Sequence, residues 1–155
     1  MELYLIRHAH AVDESEDPTR PLSARGRKQV RTLAKFLSRS GCLAPEEIWH
    51  SSLVRSRETA ALLVTGLKLR VPLTAVSGLE PEDDPAKLAR RLRGMTRPLA
   101  LVGHEPHLSA LATRLVGAPP GGGPCFVLKK CAVIALEGAG ERWQVRWQLS
   151  PELLG

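Results

Sequence analysis

Continuous apolar runs and helical stripes alternate along this chain. Leu3-Tyr4-Leu5-Ile6 is an unbroken apolar run, the pattern of a strand buried on both faces. A polar segment, residues 8–22, follows and reads as a loop. After Ser23, apolar positions recur at Val30, Leu33, Ala34 and Leu37, which is one face of a helix. Ser23 suits its N-cap and Gly41 its stop. Glu47-Ile48-Trp49-His50 reads as a second strand, leading into a helix through Thr59-Ala60-Ala61-Leu62-Leu63 that ends near Gly66.

Asp84-Pro85 supplies a cap and a first-turn proline for a third helix. Leu99-Ala100-Leu101-Val102 is another buried strand, and Pro106 opens a helix with Leu108, Leu111, Ala112 and Leu115 inward. Residues 118–124 form a Gly/Pro loop. Two late strands, near residues 132–136 and 143–149, are joined at Gly138-Ala139-Gly140. Strands alternating with helices predict an α/β layered fold with a mostly parallel central sheet. A chain of 155 residues fits one domain, residues 1–155, with a core that needs no disulfides.

Ligands of such sheets bind beyond the carboxyl ends of the strands. The strand ends here carry Arg7-His8, the segment from Ser51 to Arg55, and Gly103-His104. Arginine offers a rigid fork of donors matched to phosphate oxygens, with a charge that does not titrate away. A neutral imidazole has a bare nitrogen able to attack phosphorus and form a covalent intermediate. Arginines around a histidine therefore suit phosphoryl transfer without a metal or other cofactor.

Composition narrows the partners. With 43% apolar and 25% charged residues the chain matches an ordinary soluble protein. No apolar run approaches the ~20 residues of a membrane span. The first residues, Met-Glu-Leu-Tyr-Leu-Ile-Arg, lack a signal peptide's pattern, so the cytoplasm is the expected location. Cys42, Cys125 and Cys131 make neither a paired framework nor a close ligand spacing, and read as reduced structural thiols. The formal charge of +6 points to an anionic partner. One Tyr, two Phe and no basic-aromatic repeat disfavour a single-stranded nucleic acid. Gly121-Gly122-Gly123 lacks the Lys-Ser/Thr ending of a nucleotide-phosphate loop.

Leu5-Ile6-Arg7-His8-Ala9-His10-Ala11 resembles the histidine phosphatase superfamily signature, usually Arg-His-Gly after the first strand. The Ala form resembles the short phosphohistidine phosphatase branch, as does Asp17-Pro18-Thr19-Arg20-Pro21-Leu22-Ser23 followed by Gly26. Ser51-Ser52-Leu53-Val54-Arg55-Ser56-Arg57-Glu58-Thr59 is similar to the family's Ser-Pro-x-x-Arg-x-x-x-Thr block. Val102-Gly103-His104-Glu105-Pro106 resembles the next block, and Trp147-Gln148-Leu149-Ser150-Pro151 the branch's closing strand. Ala9, Ser52 and Glu105 depart from the usual Gly, Pro and Asn; Glu105 is expected to point away from the phosphate.

The resemblance implies a three-layer, phosphoglycerate mutase-like α/β/α fold. It implies His8 as nucleophile, with Arg7, Arg55 and His104 holding the phosphoryl oxygens and Arg20 as an additional phosphate contact. No metal is implied. Among Glu80, Glu82, Asp83 and Asp84, Glu80 is the candidate general acid, because Asp84 is better explained as a cap. An alcohol must be protonated as it leaves, whereas imidazole, with a pKa of about 6.5, departs readily. A poorly defined acid therefore favours phosphohistidine on a protein, such as a phosphotransfer domain in signal transduction. A sugar or nucleoside phosphate is the rival substrate. A non-catalytic phosphate- or nucleic-acid-binding module is the rival of another class. His10, His50 and His107 read as structural or exposed, with His10 near enough to tune His8. Lys87, Arg90, Arg91 and Arg93 read either as a solvated helix face or as positive potential for an acidic phosphoprotein.

Overall fold

The structure, a computed structural model, describes residues 1–119 and 121–155. Pro120, within the expected 118–124 loop, lies outside the described residues. The elements run β1 (Glu2–Arg7), α1 (Ala24–Ser40), β2 (Glu47–His50), α2 (Val54–Leu67), β3 (Leu73–Ala75) and α3 (Pro85–Leu92). They continue with β4 (Leu99–Gly103), α4 (His107–Leu115), β5 (Val133–Ala139), β6 (Arg142–Leu149) and a 3-10 turn (Pro151–Leu154). The six strands form one sheet in the order β3-β2-β4-β1-β5-β6. β1, β2, β3 and β4 pair in parallel, and β5 and β6 join antiparallel on the β1 side.

Alternation along the central strands divides the core between two helix layers. Leu3, Leu5, Leu99 and Leu101 face one side, against Leu88 and Leu92 of α3 and Leu108, Leu111 and Leu115 of α4. Tyr4, Ile6, Ala100 and Val102 face the other, against Val30, Leu33 and Leu37 of α1 and Ala60 and Leu63 of α2. Burying each such leucine contributes roughly 1.5–3 kcal/mol. A strand covered on both faces has no polar positions to alternate with, hence the unbroken runs. This is the expected three-layer α/β/α architecture with a mostly parallel sheet.

Local signals set the helix ends. Ser23 caps α1, its side chain accepting from the Gly26 amide, and Asp84 caps α3 by accepting from the Ala86 amide. Gly26 is also required by packing, since a Cβ there would lie 2.0 Å from the His10 carbonyl oxygen. That close approach seats α1 on the loop following His8.

Two expectations need correction. β3 is not among the strands that the sequence predicts, because Leu73–Ala75 is a three-residue edge strand exposed throughout. The β5–β6 turn falls later than expected, between Ala139 and Arg142. Gly138 belongs to β5, where a Cβ would lie 2.2 Å from the Arg142 carbonyl oxygen and 2.7 Å from the Trp143 ring. It is a glycine of close approach within a strand.

Candidate active site

Strand register assembles the site. Arg7 at the end of β1 pairs with Gly103 at the end of the adjacent β4, so His8 and His104 leave neighbouring strands side by side. Their ring centroids are 5.0 Å apart. The Ser51 amide donates to the Val102 carbonyl at 3.2 Å, bringing the β2 end to the same edge. Arg55 follows in the first turn of α2. Arg7, His8, Arg55 and His104, from three segments, thus share one sheet edge.

His8 is buried, and its Nδ1 pairs with the Ala9 carbonyl oxygen at 2.7 Å. A carbonyl only accepts, so Nδ1 carries the proton and Nε2 is bare. Burial, and then the charges of His104, Arg55 and Arg7, lower the His8 pKa to about 3; only the Ala9 carbonyl works against them. The ring is therefore neutral at physiological pH. A fixed tautomer with a bare, unprotonated nitrogen is what nucleophilic attack requires of an imidazole.

His104 is fixed from its other nitrogen. Its Nε2 lies 2.6 Å from Ser51 Oγ, which also accepts from the Leu53 amide at 3.3 Å. Ser51 is fully buried and its hydroxyl proton has no other acceptor among the described residues, so it donates to Nε2, and the His104 proton sits on Nδ1. Burial, followed by the Arg55 charge, lowers the His104 pKa to about 4. Nδ1 of His104, Nε of Arg7 and Nε of Arg55 are buried without a hydrogen-bond partner among the described residues. Unpaired buried donors cost ~1–3 kcal/mol each. Three of them in the site that holds the bare His8 nitrogen suit an anion with several acceptor oxygens.

Thr59 links the segment after β1 to α2. Its Oγ1 accepts from the Ala9 amide at 3.0 Å and donates to the Arg55 carbonyl at 2.7 Å. Arg7 is oriented by donating Nη1 to the Leu128 carbonyl at 3.0 Å. Arg20 stands at φ +49°, outside the ordinary range for a side-chain-bearing residue, and donates Nε to the Val12 carbonyl at 3.1 Å. Its charge reaches both Arg55 and His104, lowering their pKa values further.

Glu80 is exposed, and its Oε1 accepts from Ser52 Oγ at 2.6 Å. Ser52, which stands where the family motif has proline, therefore ties the Glu80 segment to the β2–α2 turn. Asp83 accepts from the Glu80 amide and Asp84 from the Ala86 amide, so both are committed to backbone. Glu105 bonds the amide and hydroxyl of Ser109, placing its carboxylate on the first turn of α4. Among the described residues, no group of three or more His, Cys, Asp or Glu is arranged to hold a metal.

The remaining singled-out residues lie outside this constellation. His10 pairs through Nδ1 with Ser23 Oγ at 2.6 Å, and His50 is buried with Nδ1 on the Ser51 carbonyl at 2.8 Å. His107 is buried in the first turn of α4, with neither ring nitrogen paired among the described residues. Cys42, Cys125 and Cys131 are free, and burial pushes the Cys131 thiol up to about 12, which keeps it inert. On α3, Arg91 stacks 4.3 Å over Trp49, and Arg93 pairs with Glu141 at 2.7 Å just beyond the helix.

Sequence reasoning gave no role to Ser51, Ser52 or Thr59. The spacing of Ser51, Arg55 and Thr59 was visible, but only strand register shows what the two hydroxyls reach.

Comparison with known proteins agrees with this geometry. The family model of the histidine phosphatase superfamily (branch 1) matches residues 3–80. An uncharacterized protein of Picosynechococcus is 34% identical over 151 residues, covering 93% of this chain and 89% of its own. The Escherichia coli phosphohistidine phosphatase SixA is 25% identical over 157 residues, covering 97% and 94%. The fold matches the protein histidine phosphatase SixA in complex with tungstate, at TM-score 0.86 and 23% identity over 100% of both chains. It also matches a mycobacterial glucosyl-3-phosphoglycerate phosphatase at TM-score 0.67 and 19% identity, over 94% and 97%. On its own sequence and by these matches, the chain belongs to the histidine phosphatase superfamily.

Proposed function

We propose that the chain is a phosphatase that hydrolyses phosphohistidine on a protein through a covalent phosphohistidine at its own His8. The carrying observation is the trio of unpartnered donors around the bare His8 nitrogen. In this reading His8 Nε2 attacks phosphorus as the bond from phosphorus to the substrate imidazole breaks. The leaving ring, protonated on its other nitrogen, departs as neutral imidazole. Water then attacks phosphorus, the bond to Nε2 breaks with its electron pair returning to nitrogen, and orthophosphate leaves. Arg7, Arg55 and His104 bind the phosphoryl oxygens in both steps, where charge accumulates. Arg20 adds charge from the loop side. Tungstate, a tetrahedral oxyanion like phosphate, is what SixA holds.

The leaving group decides the substrate class. A carboxylic acid that must hold its proton near neutral pH is ordinarily buried against apolar surface. Glu80 is exposed. That supports a leaving group needing no acid, namely imidazole, in a protein with a phosphorylated histidine such as a phosphotransfer domain.

One contact favours the other reading, a small-molecule phosphomonoesterase. The Ser52–Glu80 hydrogen bond holds a carboxylate beside the β2–α2 turn, where it could protonate an alcohol. A matched solved structure is a phosphatase of glucosyl-3-phosphoglycerate.

Turnover of a phosphohistidine protein and of a panel of alcohol phosphates separates the two. Glu80→Gln should leave phosphohistidine hydrolysis within about twofold while slowing alcohol phosphates, up to the ~10²–10⁴-fold of a true general acid. If Glu80→Gln abolishes phosphohistidine hydrolysis as thoroughly as His8→Ala does, the small-molecule reading takes its place.

A further inference from the structure

A cleft of ≈ 580 Å³ shares Arg7 with the site and is otherwise walled by His10, the N-terminal half of α1, residues 129–130 and the C-terminal turn. Its cations are Arg25 and Lys28 from α1, and Lys129 and Lys130 from the turn before β5. Glu152 on the same wall is spent on Lys129, at 3.0 Å. Arg25, Lys28 and Lys130 have no ion-pair partner among the described residues. Burial, then the charges of Arg7, Arg20 and Arg25, hold the Lys130 ammonium below its ordinary pKa, with Asp13 opposing. Like charges gathered from separate segments repel one another, and a bound anion relieves that repulsion.

The turn bearing these lysines is fastened to the catalytic strand. Arg7 Nη1 donates to the Leu128 carbonyl at 3.0 Å, and the Cys131 amide lies 3.1 Å from the carbonyls of both Arg7 and His8. The backbone that carries Lys130 is thereby held against the segment that carries Arg7 and His8. The cleft lies within the ~300–1,000 Å³ range of ligand pockets, far more than one phosphoryl group needs. Arg25, Lys28 and Lys129 are exposed, so the cleft can admit a chain arriving from solvent.

We propose that this cleft is a second anion subsite, in which Lys130, Arg25 and Lys28 receive the carboxylates of an acidic segment flanking the phosphohistidine of the substrate protein. The proposal rests on the phosphohistidine reading above. It adds a sequence preference, for Asp or Glu beside the reacting residue.

Two phosphohistidine peptides of equal length test it, one with Asp and Glu flanks and one with Asn and Gln. Each exposed charge pair is worth a few-fold, so three together should give a kcat/KM preference of roughly 10–100-fold for the acidic peptide. In the triple variant Arg25→Gln, Lys28→Gln, Lys130→Gln that ratio should collapse to about one. The charge-conserving Arg25→Lys, Lys28→Arg, Lys130→Arg should retain most of it. A second arm needs no turnover: fluorescence anisotropy of an unphosphorylated acidic peptide at low salt, with binding expected to weaken at least roughly tenfold in the triple Gln variant. If neither phosphopeptide is hydrolysed but the acidic peptide binds through these cations, the phosphohistidine reading falls and the subsite stands. Equal turnover of the two phosphopeptides, a preference that survives the triple Gln variant, or anisotropy unchanged by that variant overturns the subsite.

Discussion

Replacing Thr59 with valine keeps the side chain's shape and removes its hydroxyl, which isolates what that oxygen contributes. Thr59 and Ala9 are both fully buried. The Ala9 amide, 3.0 Å from Thr59 Oγ1, would lose its partner with no water to replace it. A buried donor left unpaired costs ~1–3 kcal/mol, whereas the lost donation to the Arg55 carbonyl costs less, since that group has a helix partner as well. The same peptide segment presents the Ala9 carbonyl that fixes His8 Nδ1 at 2.7 Å. Displacing it therefore loosens the tautomer lock and the aim of Nε2. Misplacement of a reacting group by about 1 Å costs up to ~10²-fold. Thr59→Val should lower kcat by roughly 10–100-fold and stability by ~1–3 kcal/mol in urea unfolding. Thr59→Ser, which retains the oxygen, should recover most of both. A stability loss of that size with kcat unchanged would refute the coupling and leave Thr59 a structural residue only.

Acid should unfold the protein through its site histidines. Burial lowers His8 to about 3 and His104 to about 4, while unfolded imidazoles titrate near 6.5. Between pH 6.5 and about 4 the unfolded state binds more protons. Their contribution is therefore complete above pH 6.5 and lost as pH falls, by up to ~1.4 kcal/mol per pH unit for each group. Calorimetric melting across that window should show the decline, and His104→Gln should flatten it; an unaltered slope would contradict this. Because arginines supply the positive charge, activity should survive exhaustive chelation, and a loss restored by zinc or magnesium would contradict that. Arg55→Ala should damage phosphohistidine and alcohol-phosphate hydrolysis alike. Arg55→Lys should recover only part, since an ammonium cannot reproduce the guanidinium fork.

The parts of the fold readable from sequence were those with local causes. Ser23, Asp84 and Pro85 carry their instructions within a few residues, and the central strands announce themselves because both faces are buried. β3 gave no signal because it is three residues long and none of Leu73–Ala75 is buried in the core. Gly138 misled because a turn glycine and a glycine admitting Trp143 look identical in one dimension. His8 and His104 could be brought together by topology, since both end adjacent parallel strands. The hydroxyl contacts of Ser51 and Thr59, and the Lys130 cleft beside Arg7, depend on register and turn geometry between distant segments. No local pattern encodes those.

The central claim is that His8 Nε2 carries the phosphoryl group between substrate and water. Rapid mixing with phosphorus-labelled substrate, an alkaline quench and peptide mapping test it directly. The account predicts phosphate that is stable in alkali, labile in acid and located on His8, forming and decaying at the rate of turnover. It predicts no label in His8→Ala. Label on another residue, or near-normal turnover by His8→Ala, would contradict it.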